Sequence, residues 1–156
     1  MSEDVDLSED VDLSEDVDLS ESNVRIRRTI DVPRERVWDA LTDLEEMKRW
    51  YGADLMEVQI HTFEAEPGGS FSVTMDDGEN RYDIDGRIVD VVEYERLVHT
   101  WYVGRVTFEL DDVDDRTAIV LTHEDLPDRE TADQHETGWV AALEALAIAV
   151  ERRRND

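Results

Sequence analysis

The chain contains no cysteine. That excludes a disulfide, a thiolate nucleophile and a thiolate-bound metal. Lysine is almost as scarce, with Lys48 the only lysine among 16 basic residues. No apolar run approaches the roughly 18 residues of a membrane-spanning helix. The N-terminus is acidic, without the basic-then-apolar layout of a secretory signal. These absences, with a length of 156 residues, predict a cytoplasmic protein built around one folded domain.

Acid is what the chain has in excess: 42 Asp and Glu against 16 Lys and Arg, a formal net charge of −26. Such a charge repels itself at low ionic strength and confers solubility when salt screens it. An acidic surface with almost no lysine fits a protein of a salt-loving organism with a molar-salt cytoplasm. Nucleic acid and anionic membrane are not expected partners, because both require a basic surface. The basic clusters are short: Arg25, Arg27 and Arg28 on one strand, and Arg152 to Arg154 at a helix C-terminus, where cations complement the helix dipole.

Residues 2–19 are three copies of SEDVDL, and the first 22 residues hold ten acids and no base. Residues 1–22 are expected to form a disordered acidic tail, with the folded domain at 23–156. Each VDL triplet, flanked by serine and acids, resembles the acidic, hydrophobic-centred motifs that bind ubiquitin-like modifiers. Such a segment adds a strand to a partner's sheet edge, and three copies would add avidity.

In the body, Val24–Ile30 predicts a strand. Pro33 opens a helix that buries Val37, Trp38 and Leu41. Asp43 is set to cap a second helix carrying Met47, Trp50 and Tyr51, with Gly52 as its stop. Leu55 to Phe63 reads as a strand, and Pro67-Gly68-Gly69 as a turn. Phe71, Val73 and Met75 alternate with polar residues as in a half-buried strand. Asp76-Asp77-Gly78 signals a hairpin turn. Tyr82 and Ile84 lead to Gly86, where a bulge is expected. Further strands are expected in Leu97/His99/Trp101, Val106/Phe108/Leu110 and Ile119/Leu121/His123, the last two joined by a turn over Asp111 to Asp115. After Pro127-Asp128, one long helix places Trp139, Leu143, Leu146, Ala147 and Val150 on one stripe. The order is strand, two short helices, six antiparallel strands and a long helix. This is an α+β arrangement, in which a curved sheet of about seven strands wraps the last helix.

The segments VWDALTDLEEMKRWYG, FEAEPGGSFSVTM, GRIVDVVEYERLVHTW and LTHEDLPD, with the late GW of the helix, carry a family resemblance in their order and spacing. Residues 24 to about 150 resemble the activator-of-heat-shock-ATPase-homologue family, a branch of the START-like, helix-grip (SRPBCC) superfamily. His99 departs from the pattern by placing a polar group where an aromatic or aliphatic residue is expected. The resemblance implies a helix-grip fold and an association with stress response. The namesake domain stimulates the ATPase of the ninety-kilodalton heat-shock chaperone together with a second domain, of which no counterpart is expected in this sequence. Other superfamily members bind lipids, sterols, polyketides or aromatic hormones. A few are cyclases or dehydratases, and one is a self-sacrificing resistance protein.

The inward parity of the strands and helix nominates Trp50, Phe63, Phe71, Met75, Trp101, Phe108, Trp139 and Leu143 as the lining of an apolar cavity. Ordinary core packing is the alternative for each. His99 and His123 share the inward parity, as ligand-orienting or acid–base groups or as satisfied core histidines. His135, four residues before Trp139, falls near the cavity mouth or on the exposed helix face. The four histidines include no close ligand pair, and HExxH is absent. No serine lies in a nucleophile elbow, and no phosphate loop is present. Neither metal nor cofactor is expected. The sequence thus favours a non-enzymatic protein that binds a small apolar or aromatic molecule. The alternatives are a co-chaperone-like interaction module and a polyketide-cyclase-like enzyme using His99 or His123.

Overall fold

The computed structural model describes residues 23–52, 56–101 and 104–155. The SEDVDL repeats, Leu55 and the side chains of Arg152 to Arg154 lie outside that description. The first strand, β1 (Val24–Ile30), is followed by α1 (Arg34–Thr42) and α2 (Leu44–Met47). Six more strands come next: β2 (Glu57–Phe63), β3 (Ser70–Asp76), β4 (Arg81–Val92), β5 (Arg96–Thr100), β6 (Arg105–Val113) and β7 (Arg116–Glu124). The last element is α3 (Arg129–Asn155).

The strands form one curled antiparallel sheet in the order β1-β7-β6-β5-β4-β3-β2. After β1 the two short helices carry the chain to the opposite edge, from which it meanders back strand by strand. The fold is a helix grip: α3 lies in the concavity of the sheet, against β1 and α1.

The two short helices are locked to each other, and this sets the position of the segment leading into β2. Asp43 Oδ1 accepts the backbone N–H groups of Glu45 (2.9 Å) and Glu46 (3.3 Å), capping α2. Arg36 grips Glu46 with two parallel bonds of 3.1 and 2.9 Å, a fork geometry stronger than a single ion pair. The Trp50 indole N–H donates to the Ala40 carbonyl at 2.9 Å, a buried bond back to α1. The second helix is shorter than the sequence suggests. It ends at Met47, and hydrogen-bonded turns carry Trp50 and Tyr51 to Gly52, whose φ of +81° ends the segment.

Two further sequence expectations are corrected. The irregularity in β4 lies between Ile88 and Asp90, not at Gly86, and it turns Val89 out to solvent. Gly86 instead allows close approach: a Cβ there would sit 2.8 Å from the Thr100 hydroxyl. The turn before β7 is only Asp114-Asp115, with φ of 56° and 67°. Both residues are left-handed, as a two-residue hairpin requires, so Asp111 to Val113 remain in the strand.

Ladder pairing places side chains in rows on the concave face. One row runs Ile88, His99, Val106, His123, Val24, all buried. The next contains Leu97, Phe108 and Leu121, also buried. The α3 stripe of Leu143, Leu146, Ala147 and Val150 is fully buried in the same core. His99 is the anomaly in this apolar layer. Its Nδ1 lies 2.7 Å from the Thr100 carbonyl, which only accepts, so Nδ1 carries the proton. Its Nε2 is buried without a hydrogen-bond partner among the described residues. Burial holds its pKa down to about 4, with His123 adding a smaller repulsion.

The unfolded chain protonates His99 near its ordinary value of 6.5, whereas the folded chain resists until about 4. Its contribution to stability is therefore fully present above pH 6.5 and is lost as pH falls toward 4. His99→Leu should remove this sensitivity. Between pH 7.5 and pH 5 the variant should gain roughly 1–2 kcal/mol relative to wild type, measured by denaturant unfolding in molar salt. Parallel pH profiles would refute the assignment.

Candidate functional site

The concave face is not filled everywhere. A cavity of about 390 Å³ lies between the first half of α3, strands β3 and β4, and the segment after α2. That volume falls within the usual range for small-molecule sites. Tyr51, Gly52 and Met56 form one wall. Met75 on β3, paired in register with Tyr82 on β4, forms the sheet side together with Ile84. Trp101 lies at the end of β5. From α3 come Thr131, Gln134, His135, Gly138, Trp139 and Ala142. Pro127 and Gln134 are exposed and mark the mouth, whereas Trp139 and Ala142 are buried and mark the floor.

Aromatic rings make a continuous wall. Tyr51 stacks on Trp50 at 4.3 Å between ring centres and on Trp101 at 6.3 Å, and meets Trp139 edge-on at 6.3 Å. Trp101 and Trp139 lie 5.5 Å apart. Behind this wall Phe71 contacts Tyr51, Phe63 and His99. Such packing positions the lining rings without lining the cavity itself.

The polar groups are few, and their proton positions are set by their partners. The Trp139 indole N–H donates to His123 Nδ1 at 3.0 Å, a buried bond. The indole only donates, so Nδ1 of His123 accepts. His135 Nδ1 lies 2.9 Å from the Thr131 carbonyl and so donates, leaving Nε2 as an acceptor on the neutral ring. The His123 and His135 rings meet edge-on at 4.9 Å. Tyr51 is 7% exposed and lines the cavity, and no described residue hydrogen-bonds to its hydroxyl. Burial pushes its pKa upward, so the hydroxyl stays protonated across the physiological range.

Of the residues nominated from sequence, Met75, Trp101, His135 and Trp139 border the cavity. Trp50, Phe63, Phe71, Phe108, Leu143, His99 and His123 do not. His99 and His123 have no exposed surface, so neither is placed to exchange a proton with a molecule in the cavity. Inward parity selects all of these residues alike, but it cannot separate positions under the helix from positions beside it. The lining that sequence reasoning misses has a signal of its own. Thr131, His135, Gly138 and Ala142 recur at spacings of four, three and four, one face of a helix. Tyr51 is legible only as a neighbour of Trp50.

Among the described residues no three His, Asp or Glu side chains gather to hold a metal ion, and no helix is long and apolar enough to cross a membrane.

Solved structures share the architecture at low identity. A protein from Chromobacterium violaceum is 21% identical, with 83% of this chain and 97% of that one covered at a TM-score of 0.76. An AHSA1-like protein from Aeromonas hydrophila is 23% identical, covering 86% and 95% at 0.75. A protein from Nitrosomonas europaea is 21% identical, covering 90% and 100% at 0.72. At these identities they establish the fold alone. A search of curated proteins finds no match. The family model described as "Activator of Hsp90 ATPase homolog 1-like protein" matches residues 31–151, and the chain belongs to that family.

Proposed function

We propose that this protein is a non-enzymatic binding protein that holds a small apolar or aromatic molecule between the sheet and the first half of α3. Gly138 carries the reading. It sits in the interior of a 27-residue helix and lines the cavity. A Cβ added there would meet nothing within 4 Å among the described residues. Glycine in a helix interior costs about 1 kcal/mol relative to alanine, and no close neighbour among the described residues demands it. Its effect is to leave room where a side chain would otherwise project. Met56 and Met75 supply adaptable surface beside the fixed aromatic wall.

A surface role as a chaperone-activating module is the second reading, supported by the description of the family. Filling the cavity would leave that role intact while abolishing the first.

The test is therefore a pair of substitutions at one position. Gly138→Ala should raise stability by about 0.5–1 kcal/mol. Gly138→Leu should stay folded and bind the uncharged probe N-phenyl-1-naphthylamine at least tenfold more weakly than wild type, read by fluorescence in molar salt. Equal binding by a folded Gly138→Leu variant would sink the cavity reading.

A further inference from the structure

Among the described residues the cavity is lined by no Asp, Glu, Lys or Arg, although charged residues make up 37% of the chain. From this we infer that the site selects uncharged planar aromatic molecules bearing one hydroxyl or comparable hydrogen-bonding group, and rejects their anionic counterparts. The inference rests on the ligand-binding reading and specifies its chemistry.

The first support is the missing counter-charge. A carboxylate moved into this chamber would leave water without meeting a cation, and an unpaired buried charge is strongly disfavoured. The one basic ring among the described lining residues is His135, whose Nδ1 donates to the Thr131 carbonyl, so only its Nε2 remains for a ligand. The second is the outside of the molecule. With a formal charge of −26, long-range attraction gathers cations and repels anions before they reach the mouth. Salt screens this effect within roughly 3 Å at 1 M, whereas desolvation at the wall persists. Selection against anions should therefore survive high salt.

A third observation concerns charge of the other sign and shape. Aromatic faces also bind cations, but a cation, like an anion, would lose its water here without a counter-charge among the described lining residues. The Tyr51 and Trp101 rings are nearly parallel, at 20°, and Trp139 is inclined to them at 70° and 57°. A flat ring fits along the parallel pair with Trp139 across its edge. Tyr51 lines the cavity, and its hydroxyl, with no hydrogen bond from the described residues, is the polar group placed to meet the ligand's own. A ligand hydroxyl that bonds to it gains a hydrogen bond that an unsubstituted ring cannot make.

Binding of four probes to the full-length protein in 2 M KCl at pH 7.5 tests this: 2-naphthol, 2-naphthoate, (2-naphthylmethyl)trimethylammonium and naphthalene, followed by quenching of tryptophan fluorescence. 2-Naphthol is expected to bind tightest, with 2-naphthoate at least tenfold weaker. Tyr51→Phe should weaken 2-naphthol about fivefold and leave naphthalene unchanged. Naphthoate or the ammonium probe binding as tightly as naphthol would overturn the charge selectivity while upholding an apolar ligand site. An unchanged naphthol affinity in folded Tyr51→Phe would remove the hydroxyl anchor. Failure of all four probes to bind would overturn the binding reading itself.

Discussion

The hydrogen bond from Trp139 to His123 joins the filled half of this molecule to the hollow half. The indole bonds to a histidine in the central row of the sheet at 3.0 Å, with both residues buried. One side of Trp139 belongs to the core that seats α3, and its ring also borders the cavity with Trp101. A buried polar pair of this kind fixes rotation as well as distance, because either partner left alone would be an unsatisfied group in an apolar layer. The helix can thus be held in one setting even though its first half lies beside space rather than packed atoms. The cavity exists because α3 is anchored at Trp139, and from Leu143 onward by its buried stripe, and is not required to collapse onto β3 and β4.

Much of the architecture is legible in the sequence because it derives from period and punctuation. Alternation marks the limits of β1, and residue type and position mark the Asp43 cap. The stripe from Trp139 to Val150 is visible as a 3.6-residue period. Errors arise where two physical causes give one pattern. Gly86 suggests a bulge because glycine inside a strand marks either a bulge or a close approach. The apolar parity does shift in β4, but the shift sits at Val89, and Gly86 is there for Thr100. Asp111 to Asp115 looks like a long polar loop, yet an acidic strand end can stay paired across a tight two-residue turn.

The site is less legible than the fold for a related reason. Alternation says which face of a strand turns inward. It does not say whether the inward side chain meets the helix or an empty volume. Phe108 and Met75 have the same parity, yet Phe108 is 1% exposed in the core and Met75 borders the cavity. The distinction depends on where α3 crosses the sheet, a tertiary property set by Trp139, Leu143 and the pairing of β1 with β7. His99 and His123 are attractive from sequence as acid–base groups for the same reason. Their burial keeps both apart from the cavity, and loss of water around His99 lowers its pKa.

The contrast between outside and inside then has a physical logic. A chain with 42 acids can be dissolved in strong salt, but each charge brought near the core would lose its solvation. The sheet keeps its charges on the convex face and at the ends. There they meet partners such as Asp90 with Arg96 and Asp83 with the Thr74 hydroxyl. The concave face is left to apolar residues and a few hydroxyl, amide and ring groups. Gly138 fits this division. Any charged side chain there would enter the chamber, and an apolar one would occupy it. The residue that adds neither charge nor volume costs the helix some stability, and in exchange preserves a space, uncharged in its described lining, that the rest of α3 is anchored well enough to keep open.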